Sequence, residues 1–569
     1  MVALGWWSLG LAPAPLLANL ANVSQAVADR DGRLLRLGLT GDGKYRLWTP
    51  LEHMPTALLE ATLDYEDRWF YRHPGANPLA LARAAWTTFI QQDRWMGGST
   101  VTMQLARQRW RLKTRHLTGK LRQIGYALWL ERHFSKREIL EAYLNLAPYG
   151  ANIEGAGAAA WVYFHKPVAE LSRDEARALA LIPQNPKQRA PLNSAGKQAL
   201  GQAWRIAYGD DPAFGQLWFR GRRELPLRAP HFAERVAEIG TGRAALASTL
   251  DATAQNLTED LLASYVRQHR PLGIANAAAM VVHAPSMEVL AYVGSADYQD
   301  RAIRGYVNGL KARRSPGSLL KPFIYALAVE QGLITPDSLL KDTPLRVGYY
   351  QPENFEGNFY GPLSATDALV RSRNIPAIAL QQQLGSPSLY EFLRGVGLRL
   401  PRNEAFYGLA LGIGGAETSM EELLALYGML ANGGDYRPLR WLRGQNPADA
   451  QPRRPLSPEA AFLVRTMLEA NPPPQRAFGV RSFNNDRPVA WKTGTSSGLK
   501  DAWAIGLSGD LLVGVWLGNF DGTPNRHLVG RDLAGPLLFG ILEALRLERP
   551  GDANRPAPPP GLKAVEIGE

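Results

Sequence analysis

The sequence predicts a multidomain protein in which a mainly helical first domain is followed by an α/β domain. The chain has 569 residues, 46% of them hydrophobic, which is enough to form several cores. Apolar residues recur at helical spacing between Thr49 and Leu181, whereas short strand-like runs alternate with helical ones after residue 276. Cysteine is absent, which excludes disulfides, thiolate nucleophiles, zinc–thiolate sites and iron–sulfur clusters.

The charge is positive and unevenly distributed. There are 64 Lys and Arg against 52 Asp and Glu, a formal net charge of +12. Residues 101–140 contain ten basic and two acidic residues, so they contribute 8 of the 12 excess charges. Such a balance fits an anionic partner, and nucleic acid, a membrane surface and a phosphorylated substrate all remain open from composition.

The first 28 residues carry no charged side chain. Val2–Leu20 is long enough to cross a bilayer, although Pro13 and Pro15 interrupt it. Ala26–Ala28 has the small residues of a signal-peptide cleavage site. A retained membrane anchor and a cleaved signal therefore both stay open, and either one predicts that the remaining chain is exported.

Hydrophobic periodicity and turn residues predict the main elements. In the first half we expect helices at Met54–Tyr65, Leu79–Gln91, Ser99–Arg111 and Leu121–Leu144. In the second half we expect a hairpin of Ala277–Val282 and Glu288–Gly294, and a strand at Ala502–Leu507. The predicted organisation is a membrane segment or its remnant (1–28), a helical domain (29–205), a connector (206–275), an α/β domain (276–547) and a Pro-rich tail (548–569).

The pattern Ser-x-x-Lys places a hydroxyl and an amine one helical turn apart, where a deprotonated Lys can act as base for the Ser. It occurs three times. Ser194–Lys197 lies in a loop-like stretch, and Ser497–Lys500 opens no apolar helix. Only Ser318–Lys321 starts a long apolar segment, Leu319–Val329, with Pro322 early enough for the first turn. Ser318 is therefore predicted near a helix N-terminus, where free N–H groups favour developing negative charge.

Two further short motifs follow Ser318 in order. Ser372-Arg373-Asn374 begins 54 residues later (372 − 318), and Lys492-Thr493-Gly494-Thr495 begins 120 residues after that (492 − 372). Each alone is common, since Ser-x-Asn often caps a helix and Lys-Thr-Gly often forms a turn. In this order the trio is typical of penicillin-binding proteins and class A β-lactamases.

Arg314–Phe323 and Trp491–Ser496 closely resemble the transpeptidase domain of class A penicillin-binding proteins. The resemblance implies an antiparallel sheet flanked by helices. It implies that Ser318 is the acylated nucleophile and Lys321 its base. The backbone N–H groups of Ser318 and Thr495 would form the oxyanion hole.

The same resemblance implies roles for the remaining motif residues. Ser372 would relay protons and Asn374 would hold the donor peptide. Lys492 and Thr493 would line the opposite wall, and Thr495 would bind the substrate carboxylate. The implied reaction is acyl transfer from a stem peptide ending in D-Ala-D-Ala to an amine of a neighbouring strand, without a cofactor. β-Lactams would be trapped at Ser318.

Four segments of the first half resemble the lysozyme-like domain of glycosyltransferase family 51, which precedes the transpeptidase in class A proteins. One contains paired acids beside aromatics, and another places glycines before a Ser/Thr-capped helix. The segments are Glu66–Gly75, Gly97–Arg107, Ser135–Asn145 and Gly155–Ala160. The implied substrate is lipid II, an undecaprenyl-pyrophosphate disaccharide-pentapeptide, which is added to nascent glycan strands.

The resemblance also implies the roles of individual residues in this first domain. Glu66 would be the general base that activates the acceptor 4-hydroxyl, giving a β-1,4 link with inversion. Ser99, Gln104, Arg107 and Lys120 would hold the phosphates, a role that suits cations and helix dipoles.

One position departs from the family. Where the family usually has Arg-Lys-x-x-Glu, this chain reads Gly119-Lys120-Leu121-Arg122-Gln123. The second carboxylate is therefore an amide at Gln123, which cannot ionise. In the usual pattern that Glu assists the leaving pyrophosphate, and the resemblance allows a divalent cation, Mg²⁺ or Mn²⁺, in this site. With the Trp491–Thr495 and Asp501–Trp503 context, the chain is most similar to the penicillin-binding protein 1C subgroup.

The leading hypothesis is a bifunctional peptidoglycan synthase of the bacterial inner membrane, with periplasmic catalytic domains and a cell-wall synthesis complex as partner. A catalytically weak scaffold that binds cell-wall precursor remains an alternative because of Gln123. For the second half alone, a D,D-carboxypeptidase or a β-lactamase also stays open, since water and an amine attack the same ester. A nucleic-acid-binding protein is disfavoured because no nucleic-acid module is present.

Overall fold

The computed structural model describes residues 23–78, 99–114, 116–221, 225–241, 245–348, 350–445, 453–475, 477–479, 488–548 and 557–563. The chain forms two compact units. The first comprises Leu34–Arg228 with Met1–Ala28 and Ile239–Leu246, and the second comprises Ala247–Glu569 with Asp29–Arg33 and Ala229–Glu238. Among the described residues, no helix combines the length and the apolar character that a membrane crossing requires.

The first unit is mainly helical, with small sheets at its margin. Its described helices are α1 (Thr56–Glu66), α2 (Val101–Arg109), α3 (Leu117–His133), α4 (Lys136–Leu146), α5 (Ala156–Phe164), α6 (Arg173–Ala180), α7 (Pro186–Arg189) and α8 (Ser194–Tyr208). One sheet has the order β2–β1–β6, from Leu34–Leu37, Ala26–Ala28 and Ala245–Ala247. The other has the order β3–β5–β4, from Tyr45–Arg46, Ile153–Glu154 and Pro148–Gly150.

The structure refines the predicted helices of this unit. The single helix expected over Leu121–Leu144 was wrong, because the chain leaves helical geometry at Phe134 and α4 restarts in a capping box of Ser135 and Glu138. The expectation of a loop at Ser194 was also wrong, since Asn193 caps α8 there. The helix expected over Leu79–Gln91 and the apolar segment before residue 23 lie outside the described residues.

The core of the first unit is built around two buried helices. Ala-rich α5 is buried along almost its whole length, and α4 buries Ile139, Leu140 and Ala142–Asn145. Helix α2 packs between α3 and α4, while α1 packs on α6. This packing brings the C-terminal end of α1 beside the first turns of α2, which is where the polar residues of the first site lie.

The second unit is built on a five-stranded antiparallel sheet of order β11–β12–β13–β7–β8. The strands are β7 (Asn276–His283), β8 (Glu288–Val293), β11 (Ala490–Thr495), β12 (Asp501–Ser508) and β13 (Leu511–Gly518), and β9 (Leu339–Asp342) pairs separately with β10 (Gly361–Ser364). The expected hairpin and the strand at Ala502–Leu507 are confirmed. The Lys-Thr-Gly motif lies in an edge strand rather than in a turn.

Helices cover both faces of this sheet. The described helices are α9 (Pro230–Ile239), α10 (Ala252–His269), α11 (Lys321–Glu330), α12 (Ala365–Val370), α13 (Asn374–Gln383), α14 (Leu389–Gly395), α15 (Glu404–Tyr407), α16 (Met420–Ala431), α17 (Pro458–Glu469) and α18 (Gly535–Glu548). Helices α10 and α18 share a core with the strands, although α10 lies within the segment expected as a connector. Helix α11, which follows Ser318, is buried over Lys321–Ala328.

Two candidate active sites

The first site is centred on the last residue of α1. Gln104 Nε2 donates a 2.6 Å hydrogen bond to Glu66 Oε2, while Glu66 Oε1 is shielded from solvent and has no hydrogen-bond partner among the described residues. Burial raises the pKa of Glu66 above its usual value, against the opposing effects of the Gln104 hydrogen bond and of Arg189 and Arg107. Because Oε2 is hydrogen-bonded and Oε1 is not, Oε1 is available to accept a proton from a substrate hydroxyl.

Asp67, the neighbour of this carboxylate, positions the helix that carries Gln104. Its carboxylate contacts His73 Nε2 at 2.9 Å and accepts a 3.0 Å hydrogen bond from the backbone N–H of Val101. Thr100 caps the same helix by accepting from Met103 N. The Asp67 side chain is buried, so it acts as a structural contact between the end of α1 and the start of α2.

Basic side chains gather beside Glu66. Lys120 Nζ donates to Ser99 Oγ at 2.6 Å, and burial together with Arg107 lowers the pKa of Lys120. The structure thus brings Ser99, Gln104, Arg107 and Lys120 to one place, as expected. The sequence reasoning missed Arg189 of α7, which also acts on the Glu66 carboxylate. No motif in the local sequence around Arg189 indicates a contact with a residue more than 100 positions earlier.

Gln123, the residue that stands where the family usually has Glu, is buried in α3. Its Nε2 donates a 2.6 Å hydrogen bond to the backbone carbonyl of Met103, and its Oε1 has no partner among the described residues. The described part of the chain contains no cluster of three His, Asp or Glu that could hold a metal ion. Among the described residues of the site, Asp67 is engaged by His73, and Glu66 is the one carboxylate that remains available. Mg²⁺ and Mn²⁺ favour several oxygen anions, so the described donor set does not fit a divalent cation.

The second site begins at the turn that carries Ser318. Gly317–Leu320 forms a short 3₁₀ turn, and α11 starts at Lys321, so Ser318 lies one turn before the α-helix and not within it. Gly317 has φ +54°, and a Cβ there would lie 2.4 Å from the carbonyl oxygen of Thr495. The backbones of Gly317 and Thr495 are therefore in close contact, so Ser318, the next residue in the chain, lies near Thr495.

Lys321 is fully buried. Its Nζ donates to the carbonyl of Ser372 at 2.5 Å and to Asn374 Oδ1 at 2.7 Å. Burial, with smaller contributions from Lys492 and Arg373, lowers the pKa of Lys321 well below its usual value. A lowered pKa favours the neutral amine, which can accept the proton of a nearby hydroxyl, whereas the charged form cannot.

Lys492 is the second buried amine. Its Nζ donates a 2.7 Å hydrogen bond to Ser372 Oγ, and burial lowers its pKa to about 7, with a further contribution from Arg531. Ser372 has φ +56°, an uncommon conformation for a residue other than glycine, in the turn between α12 and α13. The strain places the Ser372 carbonyl towards one lysine and its hydroxyl towards the other.

A buried ion pair holds the turn that contains Ser372 and Asn374. Arg373 Nε donates to Asp342 Oδ2 at 2.8 Å, and both side chains are buried. Asp342 also accepts from Asn354 Nδ2, while Asn354 Oδ1 accepts from the backbone N–H of Asn374. The sequence reasoning missed Asp342 and Asn354, because nothing in their local sequence indicates a partner about 20 to 30 residues away.

These groups line one open cleft of about 940 Å³. Its walls include Ser318, Ser372, Asn374, Thr493, Thr495 and Arg531. Thr495 Oγ1 accepts from the backbone N–H of Gly530 at 3.0 Å, which leaves the Thr495 hydroxyl proton available to an anion in the cleft. By contrast, both residues of the pair Ser194 and Lys197 are exposed, as are Ser497 and Lys500.

Comparison with known proteins matches both units. The transglycosylase family model matches residues 32–207, and the penicillin-binding protein transpeptidase model matches residues 277–508. The chain is 39% identical to penicillin-binding protein 1C of Escherichia coli (strain K12) over 97% of this chain and 71% of that protein. The chain belongs to the class A penicillin-binding proteins, in the 1C subgroup.

Two further similarities have lower sequence identity. Penicillin-binding protein 1B of Vibrio cholerae is 28% identical over 89% of this chain and 70% of that protein. The crystal structure of penicillin-binding protein 1A from Haemophilus influenzae shares the fold, with a TM-score of 0.58 and 18% identity over 95% of this chain and 94% of that one. This class A penicillin-binding protein is therefore a bifunctional peptidoglycan synthase with transglycosylase and transpeptidase domains, as the resemblance implied.

Proposed function

We propose that this penicillin-binding protein polymerises lipid II at the first site, with Glu66 as general base. The Oε1 atom of Glu66 takes the proton of the acceptor 4-hydroxyl as that oxygen attacks the anomeric carbon of the growing strand. The C–O bond to the pyrophosphate breaks, and Ser99, Arg107 and Lys120 stabilise the leaving anion. The observation that carries this proposal is the carboxylate of Glu66, held on one oxygen by Gln104 and flanked by cations.

For the second site we propose an acyl-enzyme at Ser318. Neutral Lys321 takes the Ser318 Oγ proton as that oxygen attacks the D-Ala-D-Ala carbonyl, and the N–H groups of Ser318 and Thr495 stabilise the oxyanion. Collapse breaks the peptide bond, and the departing D-Ala amine receives a proton through Ser372 and Lys492. The amine of a neighbouring stem peptide then attacks the ester carbonyl and forms the new amide bond. Its proton passes through the base to Ser318 Oγ as the bond between Oγ and the acyl carbon breaks.

The remaining motif residues orient the donor peptide. Asn374 would hold its backbone, and Thr493 and Thr495 would bind its terminal carboxylate. Penicillin carries a comparable carboxylate and acylates Ser318 without prompt release, which gives β-lactam inhibition. The observation that carries this second proposal is the burial of Lys321, whose depressed pKa makes it a base.

We also propose that the protein acts at the outer face of the bacterial inner membrane, with both catalytic units in the periplasm and a cell-wall synthesis complex as partner. The uncharged residues 1–28 support export, and the basic cluster at residues 101–140 fits a lipid-linked pyrophosphate at an anionic surface. Cell fractionation with a protease-accessibility assay tests the location.

The test of function uses purified full-length protein and labelled lipid II, with crosslinked muropeptides as the second product. Glycan strands bearing crosslinks support the proposal. No glycan above background favours the scaffold alternative, and trimmed but uncrosslinked stem peptides favour a carboxypeptidase. Parallel reactions with Mg²⁺ or a chelator measure whether the cation that the resemblance allows contributes. We expect little effect because the donor set does not fit one.

A further inference from the structure

Gln123 marks the point at which the chain departs from its family, and its contacts explain why an amide is present. The side chain is 1% exposed. Its Nε2 donates to the carbonyl of Met103, an acceptor that an ionised carboxylate could only repel. A glutamate here would satisfy Met103 only in its protonated form. The local structure therefore calls for a donor at position 123.

Met103 lies immediately before Gln104, in the first turn of α2. Three hydrogen bonds hold that turn in place. Val101 N donates to Asp67, and Thr102 Oγ1 donates to Glu131 of α3 at 2.6 Å. The contact from Gln123 is the second connection between α3 and this turn, and it acts on the residue adjoining Gln104.

The hydrogen bond from Gln123 to Met103 also affects the Glu66 carboxylate, because Met103 adjoins Gln104. Gln104 Nε2 is within 2.6 Å of Glu66 Oε2, a distance that depends on how the first turn of α2 is placed. We infer that Gln123 is a positioning residue: its amide holds the first turn of α2 so that Gln104 fixes Glu66 for proton abstraction, and the glutamate usual in the family would impair this chain. The inference rests on the proposed role of Glu66.

Two variants separate this role from a catalytic one. Gln123→Met keeps the side-chain length but donates nothing, and Gln123→Glu restores the family residue. For Gln123→Met we expect a loss of about tenfold or more in polymerisation kcat, by a factor that is constant with pH. KM for lipid II should change little, because Ser99, Arg107 and Lys120 are untouched.

Gln123→Glu should lose as much activity at neutral pH and recover towards the wild type as pH falls, since the protonated acid can donate to Met103. Several charged groups lie on the elements around the turn, and every variant carries the same set. They are Glu66 at the end of α1, Asp67 and His73 after it, Arg107 of α2, Lys120, Arg122 and Glu131 of α3, and Lys136 of α4. The ratio of the Glu variant to the Met variant at each pH removes their contribution.

The experiment measures polymerisation by wild type, Gln123→Met and Gln123→Glu across the pH range, with penicillin acylation as a check on folding. Wild-type activity at neutral pH in the Gln123→Glu variant would overturn the inference while the proposed function stands. If wild type itself makes no glycan, the proposed role of Glu66 fails. In that case the unfolding temperature tests the role of Gln123. The inference requires that Gln123→Glu loses stability relative to wild type as pH rises, whereas Gln123→Met is destabilised by the same amount at every pH. Equal pH dependence in both would refute it.

Discussion

The Nζ of Lys492 donates a 2.7 Å hydrogen bond to the Oγ of Ser372, a residue 120 positions earlier in the chain. The carbonyl of the same Ser372 accepts from Lys321. Ser372 therefore contacts two buried amines from its strained turn. One is Lys321 of the Ser-x-x-Lys motif, and the other is Lys492 of the Lys-Thr-Gly motif. This arrangement fixes both amines against Ser372, Lys321 at its carbonyl and Lys492 at its hydroxyl.

Acylation by penicillin should depend on the protonation of Lys321. The pKa of Lys321 is lowered, so the amine is neutral above that value and becomes charged below it. The acylation rate should fall about tenfold per pH unit once pH drops below the Lys321 pKa. Stopped-flow measurement with a fluorescent penicillin checks this, and a rate that stays constant through the acid range would contradict Lys321 as base.

The burial of Lys492 should cost stability. Its pKa is about 7 in the folded protein against 10.5 for an exposed lysine, so the unfolded chain binds the proton more strongly between these values. The cost is fully present below pH 7 and fades as pH rises to 10.5. Lys492→Met should raise the free energy of unfolding by about 2–5 kcal/mol below neutral pH while abolishing acylation.

Chemical denaturation at several pH values measures this stabilisation. Lys500→Met is the matched control, since Lys500 is an exposed lysine of the turn after the same strand. A gain for Lys492→Met that grows with rising pH would have the wrong sign for a buried amine.

Gly317 should be indispensable for the shape of the oxyanion hole. Gly317→Ala places a methyl group against the backbone of Thr495, so acylation should slow by about 100-fold, comparable to the loss of one oxyanion-hole donor. Gly332→Ala is the control, because Gly332 has φ +68° but nothing within 4 Å of a Cβ. Both variants carry backbone strain, but only Gly317→Ala should lose acylation. Equal losses would assign the effect to strain.

The sequence predicted that a helix follows Ser318, because the spacing of Ser318 and Lys321 is local and the apolar segment after them is clear. It could not predict that Arg373 would be buried against Asp342, since that pair depends on tertiary packing. The break at Phe134 was predictable in principle, because Ser135 and Glu138 form a capping box that the helical periodicity on both sides obscured.

The pH dependence of polymerisation should report on Glu66 through Gln104. The Gln104 hydrogen bond favours the ionised carboxylate, so Gln104→Met should raise the Glu66 pKa further and move the acidic limb of the rate profile to higher pH. The polymerisation rate against pH measures this shift. Gln108→Met, one turn later on the same helix, should leave the limb in place. A limb that does not move in Gln104→Met would contradict Glu66 as the titrating base.

The most direct test of two independent active sites measures both activities in the same two variants. Purified Glu66→Gln and Ser318→Ala proteins are assayed for lipid II polymerisation and for covalent labelling by a fluorescent penicillin. The account predicts that Glu66→Gln makes no glycan strands yet labels like wild type. Ser318→Ala should polymerise lipid II but take no label. Loss of both activities in either folded variant would contradict it.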